Sequence, residues 1–219
     1  RTQWSPPGRA TVISVGSVLE HVPPWFDGYI LGTGKLYETS RLHLHTGTMT
    51  ILALRGPLTA RQCPPGDYAI GDPGLLASEL VGPWPERTID LGVVPHWADT
   101  GLARRPEWYS SAWTTKVIDP GWAPLDVITM ISRCHKIVSS SLHGLIAADS
   151  FGIPRRFEPP PDPDGSQGGI FKYQDYSASI RAPLVPGAVM NVSELHVNDR
   201  KYELLDAYSD LRSLVRKAT

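Results

Sequence analysis

The segment with the most chemical content is Lys136–Pro154, KIVSSSLHGLIAADSFGIP. An apolar run of β type ends in three serines, and a helix is expected to begin at about Leu142–His143. In open parallel sheets, ligands sit beyond the carboxyl ends of strands, where the following helices point their N-termini. Amide groups there, together with the helix dipole, favour an anion. Ser140 or Ser141 can cap the helix or bind that anion. His143 falls in the first turn and faces the same crevice, and its imidazole titrates near neutrality, which suits a general acid or base. Gly144 removes a side chain where a ligand or a neighbouring backbone can approach. The structural alternative is that the serines cap a helix and His143 is a satisfied histidine at a strand–helix junction.

Two other histidine and glycine patterns carry less. His43-Leu44-His45 puts both imidazoles on one face of a strand, but no third ligand accompanies them, so no metal site is assigned. Gly32-Thr33-Gly34 lacks the third glycine and the helix of a dinucleotide fingerprint. It reads as a turn.

The elements that must position these residues are short. The chain has 219 residues, long enough for one large domain or two small lobes. Lys plus Arg is 21 and Asp plus Glu is 22, a formal net charge of −1, which argues against a protein held to nucleic acid by bulk charge. Gly (20) and Pro (21) together exceed the usual share of about 12%, so a loop-rich α/β protein is expected. Two cysteines, Cys63 and Cys134, make no disulfide framework and fit no metal-ligand spacing. The longest apolar runs are strand-length, short of the roughly 20 residues of a membrane helix. No leader-like segment is visible and the first residue is Arg1, so upstream segments are expected to be missing and a reducing cytoplasm is the expected compartment.

Strands are expected at Thr11–Val15, Gly28–Leu31, Thr48–Leu54, Thr88–Val94, Lys116–Ile118 and Lys136–Ser139, each bounded by turn formers. Pro57 suits the first turn of a helix through Arg61. A strand, a Gly-Asp-Pro-Gly turn and a short helix near Leu75–Leu80 follow. Helices are expected at Leu125–Cys134, His143–Ser150, Phe171–Ile180 and Ser193–Arg216. Val81–Arg87, with two prolines and a glycine, is the best boundary between lobes, giving domains of residues 1–84 and 85–219. Pro159–Gly169 is a loop without core-forming residues. The alternation implies parallel sheets with right-handed crossovers.

Read together, these motifs resemble the polysaccharide pyruvyl transferase family. Its signature is a strand followed by Ser-x-Arg-x-His-Gly and an Ala-rich helix ending in Gly-x-Pro. This chain has Ser139, then Ser141 where many members carry arginine, then Leu142-His143-Gly144, and Gly152-Ile153-Pro154 at the end. The Ser-Leu-His-Gly variant is similar to the branch of succinoglycan-type ketal pyruvyl transferases. Gly32-Thr33-Gly34, Arg55-Gly56-Pro57-Leu58-Thr59, Gly71-Asp72-Pro73, the Val94–Asp99 stretch and Phe171–Tyr176 resemble further family elements in the family's order. The usual N-terminal Asn-x-Gly-Asp segment is absent, which fits a trimmed or divergent front end.

The resemblance implies a fold of the glycosyltransferase-B (GT-B) type, two Rossmann-like lobes with parallel sheets and the site in the cleft, the N-terminal lobe being incomplete here. It implies transfer of the enolpyruvyl unit of phosphoenolpyruvate to a sugar, often as a cyclic ketal, with no cofactor. The partners implied are phosphoenolpyruvate and a sugar or lipid-linked oligosaccharide acceptor, with at most peripheral contact at the inner face of a membrane. Phosphate and carboxylate need cationic or amide partners. Arg55, ending an apolar strand, is the first candidate, with pairing to a nearby acid as its alternative. Lys172, among Phe171, Tyr173 and Tyr176, is the second; snorkelling over those rings is its alternative. His143 is the acid/base candidate, and Arg55 is grouped with it as catalytic. Ser141, Leu142, Gly144 and His96 are expected to bind substrate, with Trp97 beside His96 suited to a sugar face. Asp175 can orient Lys172 or take a proton, or simply pair with Lys172 at i,i+3. A GT-B-like glycosyltransferase using a nucleotide sugar, and a non-catalytic sugar-binding relative, are the competing readings.

Overall fold

The computed structural model describes residues 5–44, 48–99, 101–161 and 169–218. His45 and residues 162–168 of the Pro/Gly-rich loop lie outside the described residues. Two sheets organise the chain. The first has strands β1 (Val12–Ile13), β2 (Tyr29–Leu31), β3 (Thr50–Leu54) and β4 (Ala69–Ile70), all parallel and in sequential order. The second is made of β5 (Ile89–Val94), β6 (Thr115–Val117), β7 (Cys134–Ser139), β8 (Arg155–Phe157) and β9 (Val189–Met190), in the order β6-β5-β7-β8-β9. It is parallel except for the β8–β9 pair. Mixed α/β architecture with parallel-dominated sheets is therefore observed.

The helices are α1 (Pro57–Ala60), α2 (Ala77–Leu80), α3 (Pro124–Ser132), α4 (Leu142–Ser150), α5 (Phe171–Ser179) and α6 (Glu194–Ala218). Prolines at the first turns of α1 and α3 enter them with a preset φ and no wasted donor. The expected helix Leu125–Cys134 stops at Ser132, because Cys134 opens β7 and pairs with Ile89 inside the sheet. The edge strand β9 was not expected; at two residues it is too short to show a pattern.

The residues fall into two units, each with its own core. Described residues up to Pro73, with those of Gly168–Pro183 and Asn198–Thr219, form one; Gly74–Gln167 and Leu184–Val197 form the other. The division thus falls ahead of Val81–Arg87, and two C-terminal stretches group with the first sheet. In the first unit, Ile13, Leu19, Val22, Phe26, Ile30 and Leu54 pack together. In the second, neighbouring strand residues serve opposite faces. Val93 and Val138 pack with Leu102 and Trp108, whereas Val94 and Ile137 pack with Ile131, Ala147, Ala148 and Phe151 of the α3–α4 side. Gly92 is required at the centre, since a Cβ there would lie 2.6 Å from Ile137 and 2.8 Å from Cys134.

Strand β8 shows the same alternation with charges. Arg155 is fully buried, and its Nε donates to both carboxylate oxygens of Asp149 on α4, at 2.7 and 2.9 Å. Its Nη1 and Nη2 have no partner among the described residues. Asp149→Ala strips this guanidinium of its carboxylate inside the core. The expected loss is about 3–5 kcal/mol of unfolding free energy, measured by urea denaturation; a loss below about 1 kcal/mol would show that the pair does not hold α4 to β8.

Candidate active site at the strand carboxyl ends

In the second sheet β5 is followed by β6 on one side, while β7, its neighbour on the other side, is followed by β8. Connections leaving two adjacent strands in opposite directions open a crevice at their carboxyl ends, the place where open α/β sheets bind ligands. The β5 loop runs into the two 3₁₀ turns (Leu102–Arg104 and Pro106–Trp108) that cover one face, and β7 runs into α4 on the other. His96 ends the first path and His143 begins the second. The two loops are joined: the His96 amide donates to Ser140 Oγ at 2.8 Å.

The serine run divides its work. Ser139 Oγ lies within hydrogen-bond reach of the Val94 and Ser141 carbonyls and accepts from the Ser141 amide at 3.0 Å. Ser140 Oγ takes the His96 amide. Ser141 is the N-cap residue of α4, but its hydroxyl makes no capping bond, and it has no partner among the described residues. The expectation that Ser140 or Ser141 caps the helix therefore does not hold. A half-buried hydroxyl and the first-turn amides, which have no intrahelical acceptor, sit together at the start of α4.

Helix α4 is buried all round, with one exception. Leu142 and Gly144–Ser150 are buried, and His143 is exposed. Leu142 can therefore meet a ligand only through its backbone. Gly144 serves packing: a Cβ would stand 2.4 Å from Ser139 Oγ and 2.9 Å from Val94. Its absence lets the helix start close against the ends of β5 and β7. His96 is buried, its Nδ1 accepts the Ala98 amide at 3.4 Å, and its ring lies 5.6 Å from that of Trp97, which is 72% exposed. Asp99 is buried and caps the 3₁₀ turn through Leu102.

The other expected site residues, Arg55, Lys172 and Asp175, belong to the first unit. Arg55 follows β3 and its side chain is closed to solvent. Its Nε donates to Asp175 Oδ2 at 3.0 Å, Nη2 to the Lys35 carbonyl at 2.5 Å, and Nη1 to Ser17 Oγ. Asp175 also accepts from the Leu58 and Thr59 amides at 2.9 Å and from Thr59 Oγ1 at 2.6 Å. A carboxylate from α5 thus caps α1, whose own N-cap residue is Gly56. Gly56 is required because a Cβ would lie 2.1 Å from the Asp175 carbonyl oxygen. Asp175 thus pairs with Arg55, the alternative weighed for Arg55.

Gly32-Thr33-Gly34 supports the same clamp. Gly32 has φ +86°, Thr33 Oγ1 donates to the Gly16 carbonyl at 2.7 Å, and a Cβ on Gly34 would lie 2.4 Å from the Arg55 guanidinium carbon. Lys35, next in sequence, was missed by sequence reasoning. It is fully buried, and its Nζ donates to the Glu38 and Ser40 carbonyls at 2.9 and 2.6 Å and to Gln62 Oε1. The only signal for it was its place after the Gly-Thr-Gly turn. Lys172 is buried, with Nζ 5.2 Å from the centre of the Tyr173 ring. Burial, and then the positive charge of Arg55, push its ammonium down to about 8. Among the described residues no group of three or more His, Cys, Asp or Glu side chains is placed to hold a metal ion, and no helix is long and apolar enough to cross a membrane.

Comparison with known proteins adds a likeness over the same segments. The profile of the polysaccharide pyruvyl transferase family matches residues 50–157, from β3 through β8, and so includes Arg55, His96 and Ser139–Gly144. The chain is 31% identical over 151 residues to the succinoglycan biosynthesis protein ExoV of Rhizobium meliloti (strain 1021), covering 65% of this chain and 46% of that protein. It is 33% identical over 136 residues to an uncharacterized protein of Acanthamoeba polyphaga mimivirus, covering 57% and 45%. The chain spans less than half the length of each of these relatives.

The buried Lys172 has a pH signature. Its folded-state value of about 8 lies below the ordinary 10.5, so between these values the unfolded chain binds a proton that the folded protein has released. Stability contributed by this group therefore rises with pH across that window and is lowest below it. Lys172→Met removes the slope. Its stability relative to the parent is expected to be most favourable at pH 7 and to decline toward pH 10.5, measured by urea denaturation at both. A difference that is flat or grows with pH would contradict the burial of a titrating ammonium.

Proposed function

From the match of residues 50–157 to the polysaccharide pyruvyl transferase family and the likeness to a succinoglycan biosynthesis protein, we propose that the chain transfers the enolpyruvyl unit of phosphoenolpyruvate to a sugar of a surface-polysaccharide or glycolipid precursor, forming a pyruvate ketal. The observation that carries this reading is the exposed imidazole of His143 on an otherwise buried helix, at the carboxyl ends of the two strands whose connections diverge.

The chemistry needs a proton delivered to the methylene carbon while a sugar hydroxyl oxygen bonds to the neighbouring carbon and loses its own proton. A second hydroxyl then displaces phosphate from that carbon, closing the ketal, and its proton leaves with the phosphate as hydrogen phosphate. His143 is the group assigned to these proton transfers. The amides opening α4 and the Ser141 hydroxyl are assigned to the donor's anionic oxygens, and His96 with the exposed Trp97 to the acceptor sugar. Arg55 and Lys172 belong to the first unit and are given no part in this crevice; Arg55 donates to Asp175, Ser17 and the Lys35 carbonyl. The reading takes with it the GT-B type of fold and a reaction in the cytoplasm, where phosphoenolpyruvate is made.

The direct test is phosphate release from phosphoenolpyruvate in the presence of a glycan acceptor, with the ketal methyl group followed by NMR. His143→Ala is expected to lower turnover about 10²-fold or more while leaving the unfolding midpoint unchanged, because the side chain is exposed. Turnover retained in this variant would overturn the assignment. Thermal stabilisation by UDP or GDP with none by phosphoenolpyruvate would favour a nucleotide-sugar donor instead.

A further inference from the structure

Beyond β8, on the face of the second sheet covered by the 3₁₀ turns, two arginines share one carboxylate. Glu158 is buried and its amide donates to the Ser139 carbonyl at 3.0 Å, which fixes it beside the end of β7. Arg105 Nη1 donates to Glu158 Oε2 at 2.8 Å, and Arg156 Nε donates to Oε1 at 2.6 Å. The arginine side chains are 38% and 34% exposed. Arg156 also lies over the Trp108 ring, its guanidinium carbon 5.0 Å from the ring centre. Trp108 is itself held, with Nε1 donating to the Leu102 carbonyl at 2.9 Å.

This arrangement leaves charge and donors to spare. Two guanidinium groups and one carboxylate carry a net charge of +1, and like charges held together repel. Each guanidinium has five N–H donors in a planar fork, and beyond the Glu158 contacts neither guanidinium has another hydrogen-bond partner among the described residues. Side-chain freedom is already reduced by the shared carboxylate and the tryptophan face. Two preorganised, half-open forks at the carboxyl edge of a parallel sheet match the needs of a bidentate oxyanion.

We propose that Arg105 and Arg156, held on Glu158, form an oxyanion-binding pair that takes a phosphoryl group of the substrate. That the group belongs to a substrate of pyruvyl transfer rests on the function proposed above; the binding of an oxyanion does not. The phosphoryl group has two possible sources, phosphoenolpyruvate or the diphosphate joining an acceptor sugar to a carrier.

Calorimetric titration of the 219-residue chain with phosphoenolpyruvate, and separately with a short-chain alkyl diphosphoryl sugar, distinguishes the sources. Arg105→Gln and Arg156→Gln are each expected to weaken one of the two about tenfold or more, the value of one charge-assisted hydrogen bond. Arg105→Lys is expected to fall between parent and Arg105→Gln. Loss confined to phosphoenolpyruvate assigns the pair to the donor, and loss confined to the diphosphoryl sugar assigns it to the acceptor. Arg105 lies in a surface turn, so its variant keeps the test open if Arg156→Gln does not fold. Parent-like binding of both probes by a folded Arg105→Gln variant, or no binding of either by the parent, overturns the pair. A parent that binds an oxyanion in an Arg105-dependent way but releases no phosphate from phosphoenolpyruvate sinks the pyruvyl-transfer reading and leaves the pair standing.

Discussion

The first unit depends on a buried ion pair between residues 120 positions apart in sequence, Arg55 and Asp175. An unpaired charge in that setting would cost several kcal/mol, so α5 must return to the end of β3 for the interior to be tolerable. The carboxylate satisfies the guanidinium, two opening amides of α1 and the Thr59 hydroxyl at once. The glycines follow from the same geometry: Gly34 makes room for the guanidinium and Gly56 for the α5 backbone. Arg-Gly-Pro-Leu-Thr, whose arginine read as chemistry, and the Gly-Thr-Gly turn are accounted for here by the demands of closing one clamp. Lys172 lies three residues before Asp175 on α5, where Arg55 is close enough to depress its ammonium.

The second unit rests on a different constraint, the strand order β6-β5-β7-β8-β9. Divergent connections after β5 and β7 leave their carboxyl ends uncovered by a common crossover. Ser139 and Ser140 then tie the two loops, through the Val94 carbonyl and the His96 amide. Gly144 lets α4 start against them. The one exposed side chain on this otherwise buried helix, His143, lies in its first turn.

Much of the element pattern was legible. Apolar runs bounded by turn formers located β2, β3, β5 and β7 to within two residues, and prolines marked the entries to α1 and α3. Two-residue strands such as β9 have no pattern to read, and Cys134 was misplaced because a small apolar residue suits a helix end and a strand start equally. The place of His143 in the first turn of α4 was legible from the strand–serine–helix pattern. Arg105, Arg156 and Glu158 were not, since only the arrangement of β7, β8 and the 3₁₀ turns brings them together.

By itself the sequence determined which residue types stand where strands end and helices begin, because backbone preference and apolar spacing act over a few positions. It determined the family likeness for the same reason: the motifs are local strings. Whether a charged side chain binds a ligand or holds the fold was decided by tertiary structure alone. Arg55 is enclosed because Asp175 arrives from 120 residues away, and His143 is open because packing consumed every other face of its helix. Desolvation and pairing depend on neighbours in space, and no short stretch of chain specifies those.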